Sequence, residues 1–392
     1  MAIDGDPIQV AIVGGGIGGM TTALALSQTG LQVRLYEQAP RFSEIGAGIM
    51  LTPNATRVLG HLGVGEALAA KAMRPPASIY RRFDNAELVG NAPLADVIEE
   101  KYGSPYFHIH RTDLLDLLST AVSAQDNAEL YTDHRAVNCS HDGDKAQLNF
   151  ANGTTVTCDL ILACDGVRST LRGSLLAAAQ PRFRGQIAWR GLVPAAGLPE
   201  SVTDQASVVW IGPDRHIVQY LVRDGSLVNY VAIAAKEQWE EDGWNRPSTV
   251  AEVTEEFAGW HDDVLALLRA TPEDALYKWG LFDRDPLDRW VFGRVALMGD
   301  AAHPMLPFMA QGSAMAIEDA MILSRSLQAA DSVETALDIY QATRQGRTSE
   351  IIMGSRGQTN LYQRLTGDKT EQRAQSLDLV YGYDAVTCPL GN

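Results

Sequence analysis

Hydrophobic and polar positions follow three rhythms along this chain. Residues 8–13 (Ile-Gln-Val-Ala-Ile-Val) form a short apolar run of strand length, and a glycine-rich turn follows at 14–19. A helical stretch comes next, with apolar positions at Ile17, Met20, Leu24 and Leu26; Gly30 stands where a glycine ends a helix. Residues 31–36 alternate as a second strand that ends at Glu37, completing a strand–turn–helix–strand unit. Further on, 112–123 reads as an amphipathic helix. Residues 128–139 and 146–157 read as strands around the turn Asp142-Gly143-Asp144, and 159–164 as a buried strand. Between 183 and 234 the rhythm changes to short alternating segments at 187–193, 207–211, 216–222 and 227–233. Turn residues separate them, the pattern of an antiparallel sheet. The α/β rhythm returns with an apolar strand at 294–298, a helix over 311–328 and another from 333. The polar last 40 residues show only weak helical periodicity, which assigns them no role.

Composition narrows the class. The chain has 392 residues, 46% hydrophobic and 20% charged, which is enough apolar material for two or three domains. A net charge of −16 opposes binding to nucleic acid or to an anionic membrane surface. No uncharged apolar run reaches the roughly 20 residues of a membrane span. The N-terminus is acidic, unlike a secretory signal, so the expectation is a cytoplasmic protein. Cys139, Cys158, Cys164 and Cys388 form no CxxC pair, and their spacing suggests reduced thiols and no metal site.

The chemistry starts at Gly14-x-Gly16-x-x-Gly19. After a strand and before a helix, Gly14 permits the turn, Gly16 lets backbone approach a pyrophosphate, and Gly19 lets helix pack on strand. The helix N-terminus then faces phosphate, and Glu37 is placed for a ribose hydroxyl. This motif alone does not separate NAD from FAD. Two later strands each end in an aspartate beside a glycine, at Asp165-Gly166 and at Gly299-Asp300. Either alone is a commonplace strand-to-turn aspartate; the three in order form one pattern.

That pattern resembles the class A FAD-dependent aromatic hydroxylases: salicylate hydroxylase, 3-hydroxybenzoate 6-hydroxylase, 6-hydroxynicotinate 3-monooxygenase and, more distantly, 4-hydroxybenzoate hydroxylase. It runs through Gly46–Ile49, His110-Arg111-Thr112-Asp113-Leu114, the segment 299–307, the segment 310–319 and Tyr381-Gly382-Tyr383-Asp384. The resemblance implies an α/β fold: a Rossmann-type FAD-binding domain carrying an inserted antiparallel-sheet substrate domain, like 4-hydroxybenzoate hydroxylase, and a C-terminal helical segment. Residues 1–77, 105–178 and 284–350 would make the FAD domain, 78–104 and 179–283 the substrate domain, and 351–392 the terminal segment. It implies one noncovalent FAD, with NADH or NADPH and O2 as co-substrates and a flavin C4a-hydroperoxide as oxidant. The partner would be a small aromatic compound, a phenolic or hydroxyheteroaromatic carboxylate, and the chain a monomer or homodimer. Asp300 and Arg111 would contact the cofactor, with Gln38, Gly48, Asp165, Gly166, Pro307 and Gly312 around it. The helix after Gln311 would aim its positive end at the flavin. Ala163-Cys164 replaces the family's usual Gly-Ala before Asp165, for which only a packing change is expected.

In relatives the strand face carrying His216 and Tyr220 covers the substrate. These two share a face with Val218 and Val222, because a strand has period two. They are the candidates to orient or deprotonate the ring hydroxyl, with Gln311 as a further catalytic candidate. The plainer readings are a solvent-side histidine and a core tyrosine. His303 is read as structural. Met50 and Phe308 are expected at the substrate; some relatives carry histidine there, so the pocket is more apolar and 6-hydroxynicotinate less favoured. Trp189 and Trp210 are further candidate walls, with core packing equally open. The rivals are an enzyme tailoring an aromatic secondary metabolite, a nicotinamide-only dehydrogenase, which would leave Gly299-Asp300 without a purpose, and a redox-inactive ligand-binding regulator.

Overall fold

The computed structural model describes residues 2–3, 6–42, 47–176, 181–239, 245–358 and 377–391. Two sheets organise them. The first has six strands in the order Val291–Phe292, Val295–Leu297, Leu160–Ala163, Gln9–Val13, Gln32–Tyr36 and Ala128–Tyr131, all parallel except the outermost Val291–Phe292. Its strands are continuous hydrophobic runs because helices cover them. The helix Ile17–Ser27 is buried over most of its circumference and so is apolar nearly all round. It packs against the helix Gly312–Ala329, where Ser324 Oγ donates to the carbonyl of Ala25 at 3.2 Å.

The second sheet has eight strands: Asn245–Pro247, Tyr277–Asp283, Arg182–Pro194, Leu227–Ala235, Arg215–Val222, Ser207–Gly212, Ala77–Arg82 and Leu88–Pro93. It is antiparallel save for the parallel pairing of Ser207–Gly212 with Ala77–Arg82. Alternation splits its residues cleanly. Ile217, Leu221, Trp210, Trp189, Tyr230 and Ala232 face a core closed by the helices Val250–Glu256 and Asp262–Arg269, which the alternating pattern does not announce. The opposite face looks across a cavity toward the first sheet.

Several sequence expectations change. The strand expected over 128–139 is two strands in different sheets, Ala128–Tyr131 and Ala136–His141, because the chain turns between them with Asp133 at a φ of 58°. Likewise 146–157 is a hairpin, Ala146–Phe150 and Thr155–Cys158, around Gly153. The boundary drawn at 350 falls inside one continuous helix, Val333–Gln358. Part of the expected C-terminal segment, residues 359–376, lies outside the described residues, as does Gly46 of the 46–49 motif. No helix among the described residues is long and apolar enough to cross a membrane.

Candidate functional site

Backbone geometry builds one end of the cavity. The amide of Gly14 donates to the carbonyl of Tyr36 at 2.8 Å, with Gly14 at a φ of 104°. Gly19 lies so close that a Cβ there would sit 1.9 Å from the carbonyl oxygen of Gly14, so no other residue fits without moving the helix off the turn. Gly16 caps the following helix with no side-chain bond, and no acidic residue occupies its first turn. The helix Gly312–Ala329 begins in the same way, behind Gln311. Both starts line the same cavity of about 500 Å³. Uncapped N–H groups and two positive helix ends converge on it, an environment suited to a ligand carrying phosphate or other negative charge.

Glu37 ends the second strand and is tied to the turn, accepting from the amides of Gly15 at 2.7 Å and Ala39 at 2.8 Å. Gln38 beside it is exposed. Asp165 accepts from the amide of Leu171 at 3.1 Å and holds the start of a short helix; burial raises its pKa. Gly16, Gly48, Arg111, Gly166, Asp300, Pro307 and Gly312 line the cavity, whereas Gly14, Gly19, Glu37, Gln38 and Asp165 lie outside its lining. Asp300 is enclosed by protein yet open to the cavity. Burial raises its pKa, with His303 and Arg111 opposing. Burial lowers that of Arg111, with Asp300 opposing. Cys164 lines the wall, and burial raises its thiol pKa, which keeps it protonated and unreactive.

The second sheet supplies the other wall. Its register sets Arg190, Val231, Val218, Val209 and Tyr80 in one row, all toward the cavity. His216 and Tyr220 flank Val218, two residues to either side, with Cα atoms about 13 Å apart at strand rise. They therefore stand at opposite edges of anything lying on Val218. Burial pushes the His216 pKa down to about 4, so its imidazole is neutral near pH 7. Burial raises the Tyr220 pKa, with Arg190 opposing, so its phenol keeps its proton. Phe308 packs 6.0 Å from the His216 ring, and Met50 lines the cavity near Tyr106 and Tyr381. Val222 is buried but lies beyond the lining.

Three sequence-derived candidates take other positions. Trp210 is in register with Ile217 and Trp189 with Ala232, so both point away from the cavity. Trp210 Nε1 donates to Gln219 at 3.2 Å and Trp189 Nε1 to Ser248 at 3.1 Å, which makes both core residues. Gln311 reaches the lining, but its amide is committed: Nε2 donates to Thr52 at 3.0 Å and Oε1 accepts from Asn54 at 3.0 Å. An amide also has no proton to exchange near neutral pH, so it positions the helix start and is not a base. His303 Nε2 lies 2.6 Å from Asp319, in a buried pair outside the lining.

Four groups escaped the sequence reading. His108, fully buried, packs against the Tyr220 ring at a tilt of 35°, with centroids 4.2 Å apart, and burial pushes its pKa down to about 3. The alternation Phe107-His108-Ile109-His110 carried that signal, since Phe107 and Ile109 face the core. Asn229 Oδ1 accepts from the amide of Gly48 at 2.7 Å, joining the two walls. Arg190 was passed over between an apolar neighbour and a glycine. Finally, Leu377, Val380 and Tyr381 of the C-terminal segment line the cavity.

Comparison with known proteins extends this geometry. Residues 7–355 match the family described as FAD binding domain. The chain is 36% identical to 6-hydroxynicotinate 3-monooxygenase of Bordetella bronchiseptica, covering 97% of each. It is 35% identical to a 3-amino-4-hydroxybenzoate 2-monooxygenase of Streptomyces platensis, covering 98% of each. A salicylate hydroxylase solved with its substrate superposes with a TM-score of 0.79 at 30% identity, over 97% of this chain and 96% of that one.

Proposed function

The chain belongs to the FAD-binding family of class A aromatic hydroxylases and is an FAD-dependent monooxygenase; on that premise we propose that it hydroxylates a small phenolic or hydroxyheteroaromatic carboxylate with NADH or NADPH and O2. The observation that carries this reading is the single cavity with an anion-seeking end, at Gly16 and Gly312, and an apolar floor flanked by His216 and Tyr220. The balanced reaction is ArH + O2 + NAD(P)H + H⁺ → ArOH + H2O + NAD(P)⁺. The bound flavin supplies the electron transfer and the oxygen activation.

The residues present suit that cofactor. Gly16 and the two bare helix starts would hold its charged parts, Glu37, fixed to the glycine turn, would take a ribose hydroxyl, and Asp300 and Arg111 would contact it from the cavity wall. Gln311 holds the helix start in place. His216 and Tyr220 serve opposite edges of the substrate ring, and the structure gives no support for both acting on one hydroxyl. With its pKa near 4, His216 accepts a hydrogen bond from a ring hydroxyl and weakens that O–H bond; a proton passed on to water leaves the ring oxygen electron-rich. Val218, Val231 and Phe308 keep the face of the ring dry.

The test is a panel of 6-hydroxynicotinate, 3-amino-4-hydroxybenzoate, 3-hydroxybenzoate and salicylate, scored by NAD(P)H consumed and product mass. At least one acid should stimulate NAD(P)H oxidation and gain one oxygen. A yellow protein that no member of the panel stimulates would overturn the substrate class. The relatives named for 3-amino-4-hydroxybenzoate favour one second reading, in which the substrate is a secondary-metabolite precursor.

A further inference from the structure

Among the described residues three charged side chains line the cavity: Arg111, Asp300 and Arg190. Arg111 and Asp300 oppose one another's desolvation, each moving the other's pKa toward the charged form. Arg190 has no such companion. Among the described residues no hydrogen bond or ion pair reaches its side chain, its Nε is buried without a partner, and its guanidinium lies over the Trp279 ring, 5.5 Å from the centroid. The contrast within the same molecule is sharp. Arg344, fully buried, is bonded to Glu318 at 2.5 Å and Asp319 at 2.7 Å, whereas Arg190 is half-buried on the cavity wall. A desolvated guanidinium with no counter-ion is costly unless a ligand provides one. The chain's net charge of −16 makes a local cation the means of drawing an anion into this cavity.

Its place in the sheet says which anion. Arg190 ends the lining row Arg190–Val231–Val218–Val209 on the sheet that forms the valine floor, and its charge is felt at Tyr220 on one side and at Arg111 on the other. We propose that Arg190 is the specificity-determining residue for the substrate's carboxylate, gripping it at the end of the valine floor so that the ring lies on Val218 between His216 and Tyr220. This rests on the aromatic-carboxylate reading above. A planar fork of donors matches a carboxylate's two oxygens, and the rigid strand fixes which ring carbon faces the cofactor.

The experiment compares each acid of the panel with its primary amide, which keeps ring and hydroxyl and removes the charge. Dissociation constants are read from the change in flavin absorbance of the holoenzyme, without turnover, alongside FAD content. In Arg190→Met, affinity for the acid should fall roughly 10- to 100-fold, affinity for the amide should stay within about twofold, and FAD should be retained. Arg190→Lys should lose less, because a point charge replaces the fork; if Arg190→Met does not fold, this variant carries the same acid-against-amide comparison. Equal losses for acid and amide, or no loss for either, overturn the proposal. Loss of FAD from the variant also overturns it and makes Arg190 a cofactor anchor. A wild-type protein that binds amides as tightly as acids sinks the Arg190 assignment while leaving the hydroxylase reading intact. One that binds neither overturns both.

Discussion

Arg344 sits at the centre of a fully buried charge cluster. It bonds Glu318 and Asp319; Arg347 adds bonds to Glu318 at 2.7 and 2.8 Å; Asn54 donates to Glu318 at 2.6 Å; Asp319 accepts from the amide of Gly299 at 2.9 Å. Burial alone would raise the pKa of Asp319, but His303 and Arg344 outweigh it and hold the carboxylate well below its usual range. Removing Arg344 leaves two carboxylates buried with too little positive charge. Arg344→Met is therefore expected to cost about 3–5 kcal/mol of unfolding free energy, read from urea or thermal unfolding. A loss under about 1 kcal/mol would show that the cluster relaxes or takes in water. At the site itself, Tyr220→Phe and His216→Ala should each lower product formed per NAD(P)H consumed, and His216→Ala, which removes the proton acceptor, should also lower the rate roughly 10²- to 10⁴-fold. FAD should stay bound in both. Unchanged coupling in both variants would move the polar contacts elsewhere on the wall.

Elements bring in residues that no single motif marks. The C-terminal segment is fastened to the helix Ala95–Tyr102: Tyr102 donates to Asp378 at 2.6 Å, Lys101 pairs with Asp378 at 2.6 Å, and Arg57 bonds the carbonyls of Tyr383, at 2.7 Å, and Tyr102. Arg347 and Arg325 hold its backbone from the other side. Tyr381 thereby reaches the wall beside Met50 and Tyr106. Arg57→Ala should loosen this fastening. Faster amide exchange over 377–391 and a raised KM with FAD retained are the expected results; unchanged exchange would mean that the other contacts suffice. Strand parity is the other lesson at this scale. His216, Val218 and Tyr220 share a face because period two requires it, but which face looks at the cavity depends on the register with neighbouring strands. Trp210 and Trp189 fell on the wrong side for that reason.

At the level of the whole molecule, burial of neutral imidazoles ties stability to pH. His108 and His216 have native pKa values pushed down to about 3 and about 4, from an unfolded value of 6.5. Between about pH 6.5 and 4 the unfolded chain holds protons that the native chain refuses, so each step down in pH favours unfolding. The slope is at most about 1.4 kcal/mol per pH unit for each histidine. The two contributions fade above pH 6.5 and are gone about one to two pH units higher, where neither state is protonated. In His108→Gln, stability measured by urea midpoint should fall less steeply over that window, by up to one histidine's share. Parallel curves for the two proteins would mean that water or an anion reaches His108 in the native state.

The sequence by itself determined the cofactor half of this protein. Gly14, Gly16 and Gly19 are local demands of a turn and a close helix–strand contact, and Glu37 follows at a fixed distance along one unit, so spacing alone reveals them. The face shared by His216, Val218 and Tyr220 was legible for the same reason, since period two is a property of the strand. What only the tertiary structure decided is what meets what. The placing of Arg190 beside Trp279 and no carboxylate, the packing of His108 against Tyr220, the joining of Gly48 to Asn229 and the arrival of Tyr381 from a distant segment all join residues from separate strands and segments. No local rule carries that information, because register between strands and the docking of a distant segment are settled by packing over the whole fold.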